Sequence, residues 1–239
     1  MDSAVTNIRE ALAALAVPGK AVISQKFFKT GKGEYGEGDI FLGISVPDQR
    51  AVAKAFYPDV SLGEISQLLS SEYHEHRLTA LFILVNRFQK SKIPSEKEGI
   101  ANFYMSHLAY INNWDLADSS SYPILGSYAY EYDRADLLRT LARSDHMWHK
   151  RIGVVATLYF IRKHSFELMK EFVTHNLKYP HDLMHKANGW MLREMGKKAP
   201  DELIRYLDQY YLEMPRTCLR YAIEKLDEPL RQKYLKGKI

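Results

Sequence analysis

Two side chains one helical turn apart, Trp114 and Asp118, are of types and at a spacing that suit chemistry. A separation of four residues places both on one face of a helix. A fixed carboxylate can stabilise a developing cation, and the electron-rich face of an indole attracts cations. Arg151 and Trp190 lie early in two later predicted helices, and we expect all four side chains to meet on one surface.

Each of these residues also has an ordinary structural explanation. A tryptophan in a helix packs in a core more often than it binds a ligand. Asp118 could cap or pair locally beside Ser119, and Arg151 could be a solvated residue at a helix start. Trp148, near another helix start, is expected to pack. The functional hypothesis therefore depends on the four residues sharing a surface.

The elements that must position these residues are helices. Apolar residues recur with helical spacing along nearly the whole chain, and alternating strand-like runs are nearly absent. Gly19 is expected to break the first helix, and the glycine-rich segment 31–46 is expected to be a loop closed by Pro47. The fold class is therefore all-α, with helices predicted near 3–17, 21–30, 47–56, 62–71, 73–89, 95–110, 113–129, 134–143, 146–164, 166–177, 181–197, 200–213 and 215–227.

A repeat is visible in these helices, because several begin with a charged residue followed by small and apolar residues. Successive starts are 30 to 38 residues apart, near or below the ~40–47 residues of HEAT repeats. Helix pairs of this size stack in order to bury their apolar faces. We therefore predict one domain over 1–239, a curved solenoid of HEAT-like repeats, with a generic helical bundle as the alternative. The repeat starts lie near Arg77, Asp115, Arg151, Lys186 and Arg216.

The charge pattern suggests an anionic partner. The formal net charge is +4, and basic residues cluster around the second helix and around the helices of Arg151 and Trp190. Such a stripe would follow a phosphate backbone, although a charge run is usually a solvated face. The residues expected to contact the phosphates include Lys150, Lys186 and Arg193.

Several classes of protein are disfavoured. The single cysteine, Cys218, excludes an intramolecular disulfide, and no signal peptide or membrane-spanning run is indicated. The pair His181 and His185 has helical ligand spacing but lacks the glutamate of a zinc-protease motif, and His74 and His76 are equally weak candidates. No metal or cofactor is expected. We expect a cytoplasmic monomer, associated with the nucleoid when it binds DNA.

A family resemblance runs in order along nearly the whole chain. The chain resembles the AlkD-type DNA glycosylases, HEAT-like repair enzymes that remove N3- and N7-alkylated purines from DNA. The motifs WDLAD and GWMLRE are the most specific part of this resemblance. It is carried by the segments FLGISVPDQR (41–50), NNWDLADSSSYPILG (112–126), SDHMWHKRIGVVATLYFIR (144–162) and ANGWMLREMGKKAP (187–200).

The resemblance implies roles for individual residues. Asp118, Trp114 and Trp190 match the catalytic positions of the family, and Arg151 matches a DNA-binding position. Phe27 falls where some members use a tyrosine against DNA, so the ring is kept and the hydroxyl is absent. The resemblance also implies recognition of the lesion in double-stranded DNA through the backbone, without a pocket for an extruded base.

These residue types suit hydrolysis of a cationic nucleotide. A purine alkylated at N3 or N7 is already a good leaving group, and the sugar passes through an oxocarbenium-like state. Asp118 is expected to stabilise that cation and to orient water, and the guanidinium of Arg151 suits a phosphate. No lysine Schiff base is needed, which predicts base removal without strand cleavage.

Two other functions remain open. One is a non-catalytic HEAT-like protein that binds unusual or branched DNA, and the other is a protein-interaction solenoid. A DNA binder has no need of a carboxylate in a phosphate-lined groove, so Asp118 favours the enzyme. A protein-interaction surface would be apolar or acidic, whereas this one is predicted to be basic with exposed indoles.

Overall fold

The computed structural model describes residues 3–239, which form α-helices and no β-strand; an isolated parallel bridge joins Ile40 and Tyr73. The predicted all-α class is confirmed. By their contacts, residues up to Ile124 and residues from Leu125 onward form two compact units. The prediction of one domain over 1–239 stays a prediction. None of the described helices is long and apolar enough to cross a membrane.

The first unit is arranged around one long helix, α5, which packs against α1, α3, α4 and α7. Most of α5 is buried, because leucines, isoleucine and phenylalanines occupy every side of it. The helices of this unit are α1 (Ala4–Ala13), α2 (Pro18–Phe27), α3 (Val46–Phe56), α4 (Leu62–Leu69), α5 (His74–Lys90), α6 (Pro94–Ser106) and α7 (Trp114–Ser121), with a 3-10 turn at Leu108–Tyr110.

Local sequence explains where these helices begin. Ser61 forms a capping box with Glu64 at the start of α4, and Ser45 caps α3 just before Pro47. Pro18 begins α2, as suits the fixed φ of proline in a first helical turn. The prediction that Gly19 breaks the first helix is therefore wrong: α1 already ends at Ala13, and Gly19 lies inside α2.

The segment between α2 and α3 is a loop, as predicted, and a buried carboxylate holds its end. Glu75 accepts backbone N–H bonds from Leu42 at 2.9 Å, Gly43 at 2.8 Å and Ile44 at 3.3 Å. These bonds satisfy donors that would otherwise be buried without partners. The loop is thus tied to the first turn of α5.

In the second unit, α13 packs against α14 and α15, and α10 packs against α9 and α13. Two glycines allow close approach: a Cβ on Gly153 would lie 2.7 Å from the amide nitrogen of Ala142, and one on Gly189 would lie 2.5 Å from the Cβ of Tyr221. The helices are α8 (Ser127–Glu131), α9 (Ala135–Arg143), α10 (Met147–Ala156), α11 (Leu158–Arg162), α12 (Glu167–His175), α13 (Asp182–Lys198), α14 (Pro200–Tyr210), α15 (Arg216–Ala222) and α16 (Glu228–Lys236).

Two differences from the predicted helices have local causes. The predicted helix 113–129 is interrupted by a π-helical turn at Tyr122–Gly126, which includes Pro123 and carries the chain from one unit to the next. Helix α16 was not predicted, although its signals are ordinary. Asp227 caps its first turn, and Gly237, in the left-handed region with φ 64°, follows its last residue.

Gly43 is a position where the loop requires glycine for two reasons. Its φ is 79°, and a Cβ there would overlap the carbonyl oxygen of Val17 and lie 2.5 Å from the amide nitrogen of Ala21. Gly38 has a similar φ of 85° but nothing within 4 Å of its missing Cβ. A comparison of substitutions at the two glycines therefore separates the cost of a positive φ from the cost of steric overlap.

We predict that Gly43→Ala lowers the free energy of unfolding by more than Gly38→Ala does. Gly38→Ala carries only the strain of a positive φ, about 1 kcal/mol. Gly43→Ala adds displacement of the start of α2, for a total of about 2–4 kcal/mol. Urea unfolding of both variants measures the difference. Equal losses would contradict the close approach of α2 to this loop.

Candidate functional site

Helix α7 carries two of the candidate residues, and its start is fixed by a side-chain cap. The Oδ1 atom of Asn113, which is buried, accepts the backbone N–H of Trp114 at 2.8 Å. The Trp114 side chain is half-buried in the first turn, and half-buried Asp118 follows one turn later. An indole and a carboxylate thus lie at the partly exposed start of one helix.

The indole of Trp114 is the end of a row of stacked rings. It stacks on Phe28 with ring centroids 5.1 Å apart and planes 12° apart. Phe28 stacks on Phe41 at 4.9 Å and 21°, and Phe41 stacks on the imidazole of His74 at 4.5 Å and 20°. Phe28 also contacts this imidazole directly, with ring centroids 5.1 Å apart and planes 38° apart. Phe27, with 64% of its surface exposed, meets the indole edge-on at 5.9 Å. We call Trp114, Phe28, Phe41 and His74 the aromatic row.

His74, at the inner end of this row, lies between two carboxylates. Its Nδ1 is 3.0 Å from Asp39 Oδ2 and its Nε2 is 2.7 Å from Asp115 Oδ2. Arg77 pairs with the other oxygen of Asp39 at 2.6 Å. Both ring nitrogens therefore donate, which requires the imidazolium form. We call His74, Asp39, Asp115 and Arg77 the buried ion cluster.

The pKa values follow from this arrangement. Burial lowers the pKa of His74, and the positive charge of Arg77 acts in the same direction. The charge of Asp115 and the hydrogen bonds to Asp115 and Asp39 outweigh both and raise the pKa to about 9. For Asp39, burial raises the pKa, but His74 and Arg77 outweigh it and hold the pKa below its usual value. His74 is therefore protonated and Asp39 is ionised at neutral pH.

A neutral hydroxyl pair lies near Asp118. Ser120 Oγ donates to the Leu116 carbonyl at 2.6 Å, so the Tyr104 hydroxyl, 2.8 Å away, donates to Ser120. Burial raises the pKa of Tyr104 well above its usual value, and the negative charge of Asp118 adds to this shift. Tyr104 therefore stays protonated across the physiological range.

The second unit carries the other two central candidates. Arg151 in α10 is buried, with 4% of its surface exposed, and its Nη1 donates to the Leu183 carbonyl. Trp190 in α13 is half-buried, and its indole N–H donates to Glu194 Oε1 at 3.2 Å. Lys197 pairs with the same oxygen at 2.6 Å. Glu194 therefore fixes the indole of Trp190 from the next turn of the helix.

The residues expected to contact phosphates differ in exposure. Lys150 is buried: its ammonium donates to Asn176 Oδ1 at 3.1 Å and to the Ala142 carbonyl at 3.5 Å. This geometry does not favour the predicted phosphate contact, because the charge is already used inside the unit. Lys186 is half-buried and pairs with Asp182 at 2.8 Å, and half-buried Arg193 pairs with Glu224.

The structure therefore presents the candidates in two groups. Phe27, Trp114 and Asp118 belong to the first unit, whereas Arg151 and Trp190 belong to the second. Their convergence on one surface stays a prediction. Within the first unit, Phe27 and Trp114 are in direct ring contact.

Sequence reasoning missed the residues that support the indoles. Glu194 could have been found, because it lies four residues after Trp190 and so shares its helix face. His74 was considered only as half of a weak metal-ligand pair with His76. Its real partners, Asp39 and Asp115, lie 35 and 41 residues away, and no local pattern connects them. Among residues 3–239, no group of three or more potential metal ligands is found.

The fold and these residues define a class: an all-helical protein that presents half-buried indoles and a carboxylate. The family model described as DNA alkylation repair enzyme matches residues 8–226. The chain belongs to this family, and its role lies in the repair of alkylated DNA. No protein of curated function matches the chain significantly.

Two solved structures share the fold. A predicted DNA alkylation repair enzyme from Enterococcus faecalis is 17% identical with a TM-score of 0.68, over 89% of this chain and 97% of the other. AlkD2 from Streptococcus mutans is 14% identical with a TM-score of 0.57, over 88% of this chain and 99% of the other. At these identities the likeness concerns the fold.

We predict that loss of the proton from His74 lowers the stability of the protein at alkaline pH. The pKa of His74 is higher in the folded protein than its ordinary value of 6.5, so its contribution is complete below pH 6.5 and is lost as the pH rises through about 9. Over this window the unfolding free energy of the wild type should fall by about 3 kcal/mol relative to His74→Gln.

Urea unfolding of the two proteins between pH 6 and pH 9.5 measures this difference. Subtracting the variant removes the contributions of all other titrating groups that the two proteins share. Asp39→Asn should move the transition to lower pH, because one of the two carboxylates that favour the imidazolium has lost its charge. A difference that stays constant across the window would show that His74 does not carry a proton in the folded protein.

Proposed function

We propose that this protein is a monofunctional DNA glycosylase that hydrolyses the N-glycosidic bond of cationic N3- and N7-alkylated purines in double-stranded DNA. The observation that carries the proposal is the half-buried carboxylate of Asp118, one turn after the indole of Trp114 on α7. A fixed negative charge beside a cationic sugar lowers the barrier most where water is partly excluded.

Each group has a defined part in the proposed reaction. As the bond between the sugar and the cationic base stretches, the sugar becomes oxocarbenium-like and the base leaves with the bonding electrons, becoming neutral. Asp118 stabilises the sugar cation and accepts a proton from the attacking water. The face of Trp114 attracts the same cation by about 0.5–2 kcal/mol. Trp190, held by Glu194, is proposed to do the same from the second unit.

The proposal includes no pocket for an extruded base. A cavity of about 330 Å³ lies beside the aromatic row, lined in part by Phe28 and Phe41. Phe28 contacts Trp114, Phe41 and His74, and Phe41 also contacts His74. These rings are thus packed against one another, and the proposed reaction does not use the cavity beside them. Selection would then depend on the weak bond of a cationic lesion.

We expect Asp118→Asn to reduce the single-turnover release of 7-methylguanine and 3-methyladenine from methylated DNA by about 10²–10³-fold, because the amide keeps the shape but loses the charge. DNA affinity should remain similar or rise slightly. Asp136→Asn, which changes an exposed carboxylate on α9, is the matched control and should keep full activity.

Three results would contradict the proposal. If the wild type releases neither base, the chain fits the non-catalytic DNA binder instead. If Asp118→Asn loses affinity as much as activity, the residue is structural. If uracil or hypoxanthine leaves as fast as 7-methylguanine, selection does not depend on the charge of the lesion.

Arg151 and Lys150 are neighbours in α10, and together they test which charge contacts the DNA backbone. We expect Arg151→Gln to weaken DNA binding and to reduce the slope of log K against log salt concentration by about one unit. Both residues are buried, so burial does not distinguish them, and the expectation for Arg151 rests on the family resemblance. Lys150→Gln should leave the slope unchanged, because Asn176 and Ala142 hold the ammonium. Fluorescence anisotropy over a salt series measures both slopes. A reversed result would assign the phosphate contact to Lys150.

A further inference from the structure

His74 has no part in the proposed chemistry, yet it lies where two networks meet. It is the inner end of the aromatic row, whose outer end is Trp114, and it is the centre of the buried ion cluster. Only 1% of its surface is exposed, so it does not contact substrate directly. Any effect on the reaction must therefore pass through other side chains.

One route from His74 to Trp114 runs along the backbone of α7. Asp115, which accepts from His74, is the residue directly after Trp114. Asn113, the residue directly before it, donates from Nδ2 to Asp39 Oδ2 at 3.5 Å and accepts the Trp114 backbone N–H through Oδ1. Of the two neighbours of Trp114, Asp115 is thus bonded to His74 directly, and Asn113 is connected to it through Asp39.

The second route runs through ring faces. The imidazolium of His74 lies flat over Phe41 with ring centroids 4.5 Å apart, a geometry in which a cation attracts the face of an aromatic ring. Phe28 lies against both Phe41 and the imidazole, with ring centroids 4.9 Å and 5.1 Å away, and it stacks on the indole. Phe41 and His74 together set where Phe28 can lie, and hence the plane of the indole.

One side of this row borders a cavity. The cavity, of about 330 Å³, lies on the side of α2 and is lined by Ser24, Phe28, Phe41 and His74. On that side fewer protein contacts hold the rings. The ion pairs of His74 therefore add a restraint that packing on this side does not supply.

We infer that His74 is a positioning residue: as an imidazolium between Asp39 and Asp115, it orients the indole of Trp114 through the aromatic row and the start of α7. The charged groups facing it are those two carboxylates and Arg77; Glu75 of the same helix and Lys20 of α2 line the adjoining cavity. The effect on catalysis rests on the proposed glycosylase function, whereas the effect on the indole does not.

The direct test is spectroscopic and needs no DNA. In a background of Trp148→Phe and Trp190→Phe, Trp114 is the remaining tryptophan, and its emission reports its surroundings. His74→Gln and Phe41→Leu should each shift the emission to longer wavelength and raise the acrylamide quenching constant. Phe41→Leu removes one of the two rings that support Phe28 and keeps every member of the ion cluster, so it tests the row if His74→Gln folds poorly.

The control separates positioning from loss of stability. Leu68→Ala opens a cavity in the core of the same unit, in α4, without changing the row or the cluster. It should leave the Trp114 spectrum unchanged at temperatures below unfolding. If it shifts the spectrum as much as His74→Gln does, or if neither row variant shifts it, the inference is wrong.

The second readout uses the protein with its natural tryptophans. His74→Gln and Phe41→Leu should lower the single-turnover rate of base release by about 10–100-fold, as expected for a misplaced catalytic group. DNA affinity should change much less. Equal losses of rate and affinity would overturn the positioning role. If the wild type releases no base, the proposed function fails, and the fluorescence comparison alone decides the role of His74.

Discussion

The first unit depends on the charge balance around one buried imidazolium. Two carboxylates and two cations, from His74, Asp39, Asp115 and Arg77, meet where almost no water reaches. Isolated buried charges are strongly unfavourable, whereas opposite charges that sum to zero at close range offset this cost. The set joins the loop before α3, the first turn of α5 and the first turn of α7. Loss of one member leaves an unbalanced charge, so the three elements are stabilised or destabilised together.

The second unit fixes its candidate residues by different means. Glycines at the contacts of α10 with α9 and of α13 with α15 let the backbones approach closely. The indole of Trp190 is held by Glu194 on the same helix, so its orientation depends on local helical geometry. Lys150, although charged, serves as an internal hydrogen-bond donor to Asn176. Each indole is thus positioned by residues of its own unit.

Much of the fold could be predicted from the sequence, because helical periodicity and caps are local signals. Ser61 and Pro47 mark helix starts that the structure confirms, and the loop at 31–46 was predicted from its glycines. The prediction stopped short of α16 and misplaced the start of α2, where Gly19 was given more weight than Pro18. For the site, the spacing of Trp114 and Asp118 predicted that they share one helix, and the structure places both in α7. The row behind Trp114 could not be found, because Phe28, Phe41 and His74 are brought together only by tertiary folding.

Helix α2 has no buried side chain, and its start is held by backbone contacts: the Val17 N–H donates to the Leu42 carbonyl, and Gly43 fits against Val17 and Ala21. The position of the helix is therefore largely independent of the identity of its side chains. Substitutions along α2 can change the outward surface beside Trp114 without disturbing the core. Such a segment is free to diverge in evolution, and a phenylalanine at position 27 in place of a tyrosine is the kind of exchange that it accommodates at little cost in stability.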